Sequence, residues 1–237
     1  MKTMIFESPV AAAVHGADTL ASILRAKPEA LICLAAGHSS LPFFDAVLER
    51  GLDLSRARFV ELDEWLDIPP DTPGSCASFM RDNFFSRIGV REAQLCLFDP
   101  LTKDPAEECR RVEGQIGRWG GIDYLLLGMG MNGHLGLNEP GSGFAEGARA
   151  ALLSRTTLEV APKYFPAGMP PITRGITLGI ADILAARRIQ LLVLGARKRE
   201  IVRRLHAAGT PDPDFPATAL LDADQAELLL DRAAAGE

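Results

Sequence analysis

"IDYLLLGMGMNGHLGLNEPGSG", residues 122–143, joins an apolar run to a glycine-rich polar turn. The first part is nearly continuous in apolar residues, as in a strand of a parallel sheet covered on both faces. The chain must then turn sharply, which its glycines permit. His134, Asn138 and Glu139 follow at short range. In open α/β sheets, ligands gather at the carboxyl ends of the strands, so this junction decides both the fold class and where to look for a site.

Working outward, four more runs read as buried strands: "ALICLAAG" (30–37), "ARFVELDE" (57–64), "AQLCLFDP" (93–100) and "RIQLLVLG" (188–195). Segments 10–27, 75–88, 105–120 and 196–209 have helical spacing, and a helix is predicted to begin near Leu41-Pro42. The alternation predicts an α/β fold in three layers, a mostly parallel central sheet flanked by helices with right-handed crossovers. The length of 237 residues suits one domain spanning 1–237. The Pro- and Gly-rich stretch 161–175 interrupts the alternation and suits a lid, within a candidate lid segment 150–172. The tail "DRAAAGE" is expected to fray.

Composition narrows the function. The net charge of −6 argues against a nucleic-acid partner, which would demand a basic face, but leaves room for a small anionic substrate held by a few local cations. Cys33, Cys76, Cys96 and Cys109 show no C-x-x-C pair and no metal-ligand spacing, so buried reduced thiols and no metal are expected. The N-terminus does not read as a signal peptide, and no apolar run reaches about 18 residues. A soluble, cytoplasmic protein without membrane contact is the expectation.

Three loops leave predicted strand ends with unusual polarity. In "AAGHSSLP" (35–42), backbone N–H groups and the hydroxyls of Ser39 and Ser40 at a helix start could hold an anion; either serine could equally cap the helix. In "ELDEWLDIPPDTPGS", Asp63 and Glu64 lie where a buried strand runs out, and a partly desolvated carboxylate there could act as a general base. Trp65 and Leu66 would keep water away. In the opening stretch, His134 with Glu139 able to orient it would make the usual pair for moving a proton; a histidine satisfied inside its loop is the structural alternative. Lys198 follows another predicted strand end and Lys163 lies in the candidate lid, so with the Gly37–Ser40 loop they could complete a phosphate pocket.

"LDEW…PGSCASFMRDNFF", "GMGMNGHLGLNEPGSG" and "GITLGIADILAARRIQLLVLGARK" together resemble the glucosamine-6-phosphate deaminase/isomerase family, in register along nearly the whole chain. "LDEW", "GHLGLNEPG" and "ITRGITLG" look closest to its galactosamine-6-phosphate isomerase branch. The resemblance implies a modified Rossmann-like fold and aldose–ketose isomerisation with deamination, giving a ketose 6-phosphate and ammonia with no cofactor. It implies that Asp63 moves a proton from C2 to C1 and that His134, partnered by Glu139, assists ring opening. Glu64 and Gly133 fall in the substrate pocket. Gly37, His38, Ser39, Ser40, Lys163 and Lys198 fall on the phosphate site.

Two departures stand out. Asn132 occupies a position where the deaminases usually carry Asp, and "AAGHSS" replaces a Thr-Gly-Gly-Thr type loop. An asparagine can orient an imidazole but supplies no charge. Galactosamine 6-phosphate is the expected substrate. Glucosamine 6-phosphate deamination, 6-phosphogluconolactone hydrolysis and non-catalytic sensing of a sugar phosphate are the other readings. The "NEPGS" and "LDEW" stretches speak against the lactonase, and Asn132 alone speaks for the sensor. The short C-terminal segment suggests a monomer or homodimer.

Overall fold

The structure is a computed structural model that describes residues 1–169 and 171–237. In chain order the elements are β1 (Lys2–Phe6), α1 (Pro9–Ala26), β2 (Leu31–Leu34), α2 (Leu41–Glu49), β3 (Arg58–Glu61), β4 (Asp63–Trp65) and α3 (Cys76–Met80). A π-helical turn (Arg81–Phe85) carries α3 directly into α4 (Ser86–Ile88). Then come β5 (Leu95–Cys96), α5 (Pro105–Arg118), β6 (Tyr124–Leu127), β7 (Arg149–Leu152), α6 (Arg155–Val160) and β8 (Arg174–Thr177). The chain closes with α7 (Ile180–Leu184), β9 (Ile189–Val193), α8 (Arg199–Ala207), β10 (Ala226–Asp231) and α9 (Arg232–Ala235).

Seven strands form one parallel sheet in the order β1-β10-β9-β6-β2-β3-β5. The apolar run of the opening stretch is β6, the central strand. Alternate residues of a strand point to opposite faces, so each central strand feeds two cores. Leu125 and Leu127 join Cys33, Leu191 and Val193 on one face, beneath α5, α7 and α8. Tyr124 and Leu126 join Ile32, Leu34 and Leu192 on the other, beneath α1, α2 and the α3–α4 helix. Each such side chain contributes roughly 1.5–3 kcal/mol by leaving water. This two-sided burial is why the strands read as unbroken apolar runs.

Several expectations need correction. The predicted strand 57–64 is two strands: β3 stays in the main sheet, while Asp63–Trp65 leaves it to pair antiparallel with β8 in a small sheet ordered β4-β8-β7. The break falls at Leu62, whose side chain enters the core and whose carbonyl accepts the Leu178 N–H at 2.8 Å. The predicted strand 93–100 shrinks to the two residues of edge strand β5. Strands β1 and β10 were not foreseen. The tail does not fray through its first turn: Asp231 accepts the Ala234 N–H at 2.9 Å and Ala234 is buried. The candidate lid 150–172 holds most of β7, all of α6 and a 3-10 turn at Ala161–Lys163; residue 170 lies outside the described residues.

All four cysteines are free and buried. No helix among the described residues is long and apolar enough to cross a membrane.

Candidate active site

The carboxyl ends of β9, β6, β2 and β3 are neighbours in the sheet, and each feeds one polar loop into a common cavity of about 450 Å³. That volume suits a small phosphorylated ligand. Adjacent strands stand roughly 4.8 Å apart, so the loops after β9 and β3 are separated by roughly 14 Å. Lys198 enters from the turn after β9, Gly130 and His134 from the loop after β6, Gly37 and His38 after β2, and Asp63 after β3. Lys163 and Thr157 reach the same cavity from the 150–172 segment.

The loop after β6 is held rigidly. Gly133 adopts φ +88°, and a Cβ there would lie 2.0 Å from the Phe215 ring. Gly130 lies so close to the His134 ring that a Cβ would come within 2.4 Å of it. Asn138 is fully buried, donates to the Leu135 and Leu178 carbonyls, and accepts from Arg149 at 2.7 Å. The N-E-P segment is thereby anchored to β7 and to the end of β8, and it presents Glu139 to the histidine.

His134 Nδ1 lies 3.5 Å from Glu139 Oε2 and 3.4 Å from Thr157 Oγ1. Asn132 makes no hydrogen bond to the ring. Its Oδ1 accepts the His134 backbone N–H at 3.2 Å, and its Nδ2 donates to Glu139 Oε2 at 2.8 Å and to Ser154 Oγ at 3.1 Å. The idea that Asn132 orients the imidazole is therefore corrected: Glu139 and Thr157 do so, and Asn132 steadies Glu139. Burial pushes the Glu139 carboxyl up, but hydrogen bonds and charge from His134, with further hydrogen bonds from Thr157 and Asn132, outweigh it and hold it at about 2.

Asp63 has the opposite setting. Burial, with the Glu64 charge beside it, raises its carboxyl from the ordinary 3.8 to about 7. Its neighbour departs from expectation. Glu64 does not line the cavity. Successive strand residues point to opposite faces, so Glu64 turns away from Asp63 and under α3. There it is fully buried and accepts the backbone N–H groups of Trp65, Cys76 and Ala77 at 2.8–2.9 Å. Glu64 caps the helix rather than meeting a ligand.

The phosphate-site expectations divide. Gly37, His38, Lys163 and Lys198 line the cavity, while Ser39 and Ser40 do not. The Ser40 hydroxyl donates to the Ala35 carbonyl at 2.8 Å, which takes the proton a phosphate would need. Lys198 Nζ donates to the Met129 carbonyl at 2.5 Å, and burial lowers its ammonium below the ordinary value. Gly133 serves the turn and is not a lining residue. Leu66 belongs to the core, whereas Trp65 does line the cavity. Among the described residues no His/Cys/Asp/Glu cluster is arranged to hold a metal.

Sequence reasoning passed over the wall formed by Ser78, Phe79, Asp82 and Asn83. Their i, i+4 spacing on a helix that follows the Asp63 loop was the available signal. His38 packs against two aromatic rings of this cavity, Phe79 and Tyr164, with centroids 5.9 Å away in each case.

Known proteins resemble this chain in sequence and in fold. The family described as glucosamine-6-phosphate isomerases/6-phosphogluconolactonase matches residues 8–230. The "Putative deaminase AgaI" of Escherichia coli (strain K12) is 38% identical over 206 residues, covering 85% of this chain and 81% of its own. Glucosamine-6-phosphate deaminase of Bacillus pumilus (strain SAFR-032) is 32% identical across 99% of this chain and 98% of the relative. A solved monomeric glucosamine-6-phosphate deaminase superposes with a TM-score of 0.94 at 32% identity, covering 100% of this chain and 99% of that one. With its α/β sheet, its strand-end cavity and these matches, the chain belongs to the family of glucosamine-6-phosphate isomerases and 6-phosphogluconolactonases.

Proposed function

We propose that the chain converts galactosamine 6-phosphate and water to tagatose 6-phosphate and ammonia. The chain is an enzyme of the amino-sugar-phosphate isomerase/deaminase type. The finer choice of substrate rests on the wording of "LDEW", "GHLGLNEPG" and "ITRGITLG". The observation that carries the reaction is the meeting in one cavity of Asp63, raised to about 7, and His134, whose Nδ1 is backed by Glu139 from behind the lining.

In this reading the sugar phosphate enters with its phosphate toward Lys198, Lys163 and the Gly37–His38 loop. His134 passes a proton between the anomeric hydroxyl and the ring oxygen, and Glu139 stabilises the imidazolium that forms in between. Ring opening makes the C2 proton acidic beside the new aldehyde. Asp63, a carboxylate whose proton affinity lies near the working pH, takes that proton and delivers it to C1. The resulting C2 imine takes up water and releases ammonia, leaving the ketose. Asp63 ends as it began, so no cofactor is required. We place the activity in the cytoplasm, in a monomer or homodimer.

Ammonia release from galactosamine 6-phosphate and glucosamine 6-phosphate, measured beside 6-phosphogluconolactone hydrolysis, tests this reading. Release is expected from the galactosamine epimer first. Tight binding of both amino sugars without ammonia would make the chain a sensor, and lactone turnover alone would make it a hydrolase.

A further inference from the structure

Behind Asp63 lies a second, much smaller chamber that the reaction above does not use. It measures about 10 Å³, near the smallest volume that admits one water, and both Glu61 and Asp63 line it. The other lining residues are apolar, including Leu34, Phe59 and Met80. Glu61 is the last residue of β3 and is 6% exposed. Its Oε2 accepts the Phe98 N–H at 2.8 Å, whereas its Oε1 is buried with no protein partner among the described residues. A buried, unpartnered carboxyl oxygen on a residue that lines a water-sized space, with another carboxyl in the same lining, is a place for a bridging water.

Residues 61–64 hold three carboxyls, and they are not equally able to carry charge. Glu64 has three backbone donors and Asp63 opens to the main cavity, but Glu61 is buried with one donor. Facing this group are Cys33 from β2, Cys76 from α3 and Glu108 from α5. His134 and Lys198 share the main cavity with Asp63. Burial first, then the charges of Glu64, Asp63 and Glu108, push the Glu61 carboxyl well above the usual range against the single bond from Phe98.

We propose that Glu61 is a positioning residue for Asp63: as a neutral acid it donates, through one water in this chamber, to the Asp63 carboxylate and keeps it ionised near neutral pH. The catalytic meaning rests on Asp63 as the base, the reading of the preceding section. The proton arrangement itself does not, and it is measured without substrate. Carbon-13 carboxyl NMR of the unliganded protein, assigned with Asp63→Asn and Glu61→Gln, follows both groups through a pH titration.

Glu61→Gln keeps an N–H donor toward the chamber and should leave the Asp63 midpoint in place. Glu61→Leu removes the donor and should raise that midpoint by about one pH unit. A downward shift in Glu61→Gln would mean that Glu61 is charged, and an unmoved midpoint in Glu61→Leu would mean that no donor was lost; either overturns the proposal. Should Glu61→Leu fail to fold, the wild-type chain decides. Its Glu61 carbon should keep the chemical shift of a protonated acid from about pH 6 to about 8, and a carboxylate shift there overturns the proposal. A missing ammonia release would sink the deaminase reading and leave this titration standing.

Discussion

Glu139 and Asp63 are carboxylates on two loops that border one cavity, Asp63 in its lining and Glu139 behind it, and their surroundings drive them apart. Glu139 is 6% exposed yet sits at about 2, because the charge and hydrogen bonds of His134, Asn132 and Thr157 favour its ionised form. Asp63 sits at about 7, because burial and the nearby Glu64 charge act on it with no direct protein donor among the described residues. Burial pushes both carboxyls up, and the donors around Glu139 decide the difference. Two acids pushed apart in this way divide the proton chemistry between them, one as a fixed charge and one as a group that exchanges protons.

Replacing Asp63 by Asn should have the largest effect, a loss of turnover of about a thousandfold or more with substrate-analogue binding retained. Unchanged turnover would remove Asp63 from the base role. The same variant should melt a few degrees higher than the parent at about pH 8. A carboxyl raised from 3.8 to about 7 contributes stability that is present below the lower value and lost as pH rises through the upper one. The amide never bears that loss.

Glu139→Gln should act with the opposite sign on stability and lower kcat by about a hundredfold. A carboxyl depressed from 4.5 to about 2 stabilises the fold above the higher value, and the contribution disappears as pH falls through the lower one. The melting-temperature gap to the wild type should therefore be full at neutral pH and close toward pH 2. A gap that persists in acid would show that packing rather than charge is at stake.

Lys198→Ala comes next: KM should rise about tenfold or more with kcat changed less, since Lys198 is assigned to the phosphate and not the reacting carbon. A loss confined to kcat would move it to the chemistry. Asn132→Asp should be smallest, lowering kcat by less than about tenfold. It places a second carboxylate 2.8 Å from Glu139 and removes a donor, which the Ser154 hydroxyl can partly replace. A gain in activity would mean that charge at 132 matters more than the donor to Glu139.

The contrast between the two carboxyls was only half visible in the sequence. The central strands were legible because β2, β6 and β9 are buried on both faces and spell unbroken apolar runs. β1 was hidden because an edge strand is half exposed, and the departure of β4 was hidden because one apolar residue, Leu62, serves two sheets. His134 and Glu139 stood out through their glycine turn and Asp63 through its strand end. The opposite facing of Asp63 and Glu64 follows from strand alternation, but only once β4 is recognised as a strand. The Ser40 bond to Ala35 and the Asn132 bond to Glu139 depend on backbone turns that no residue pattern announces.

The pH dependence of kcat/KM for galactosamine 6-phosphate tests the central claim most directly. Titration of the substrate phosphate can be divided out with the inhibition constant of an unreactive hexitol 6-phosphate over the same range. The corrected value should fall tenfold per unit on the acid side with a midpoint at about 7, the value of Asp63, and Asp63→Asn should show no such limb. An acid limb near an ordinary aspartate value, or one that survives in Asp63→Asn, would contradict it.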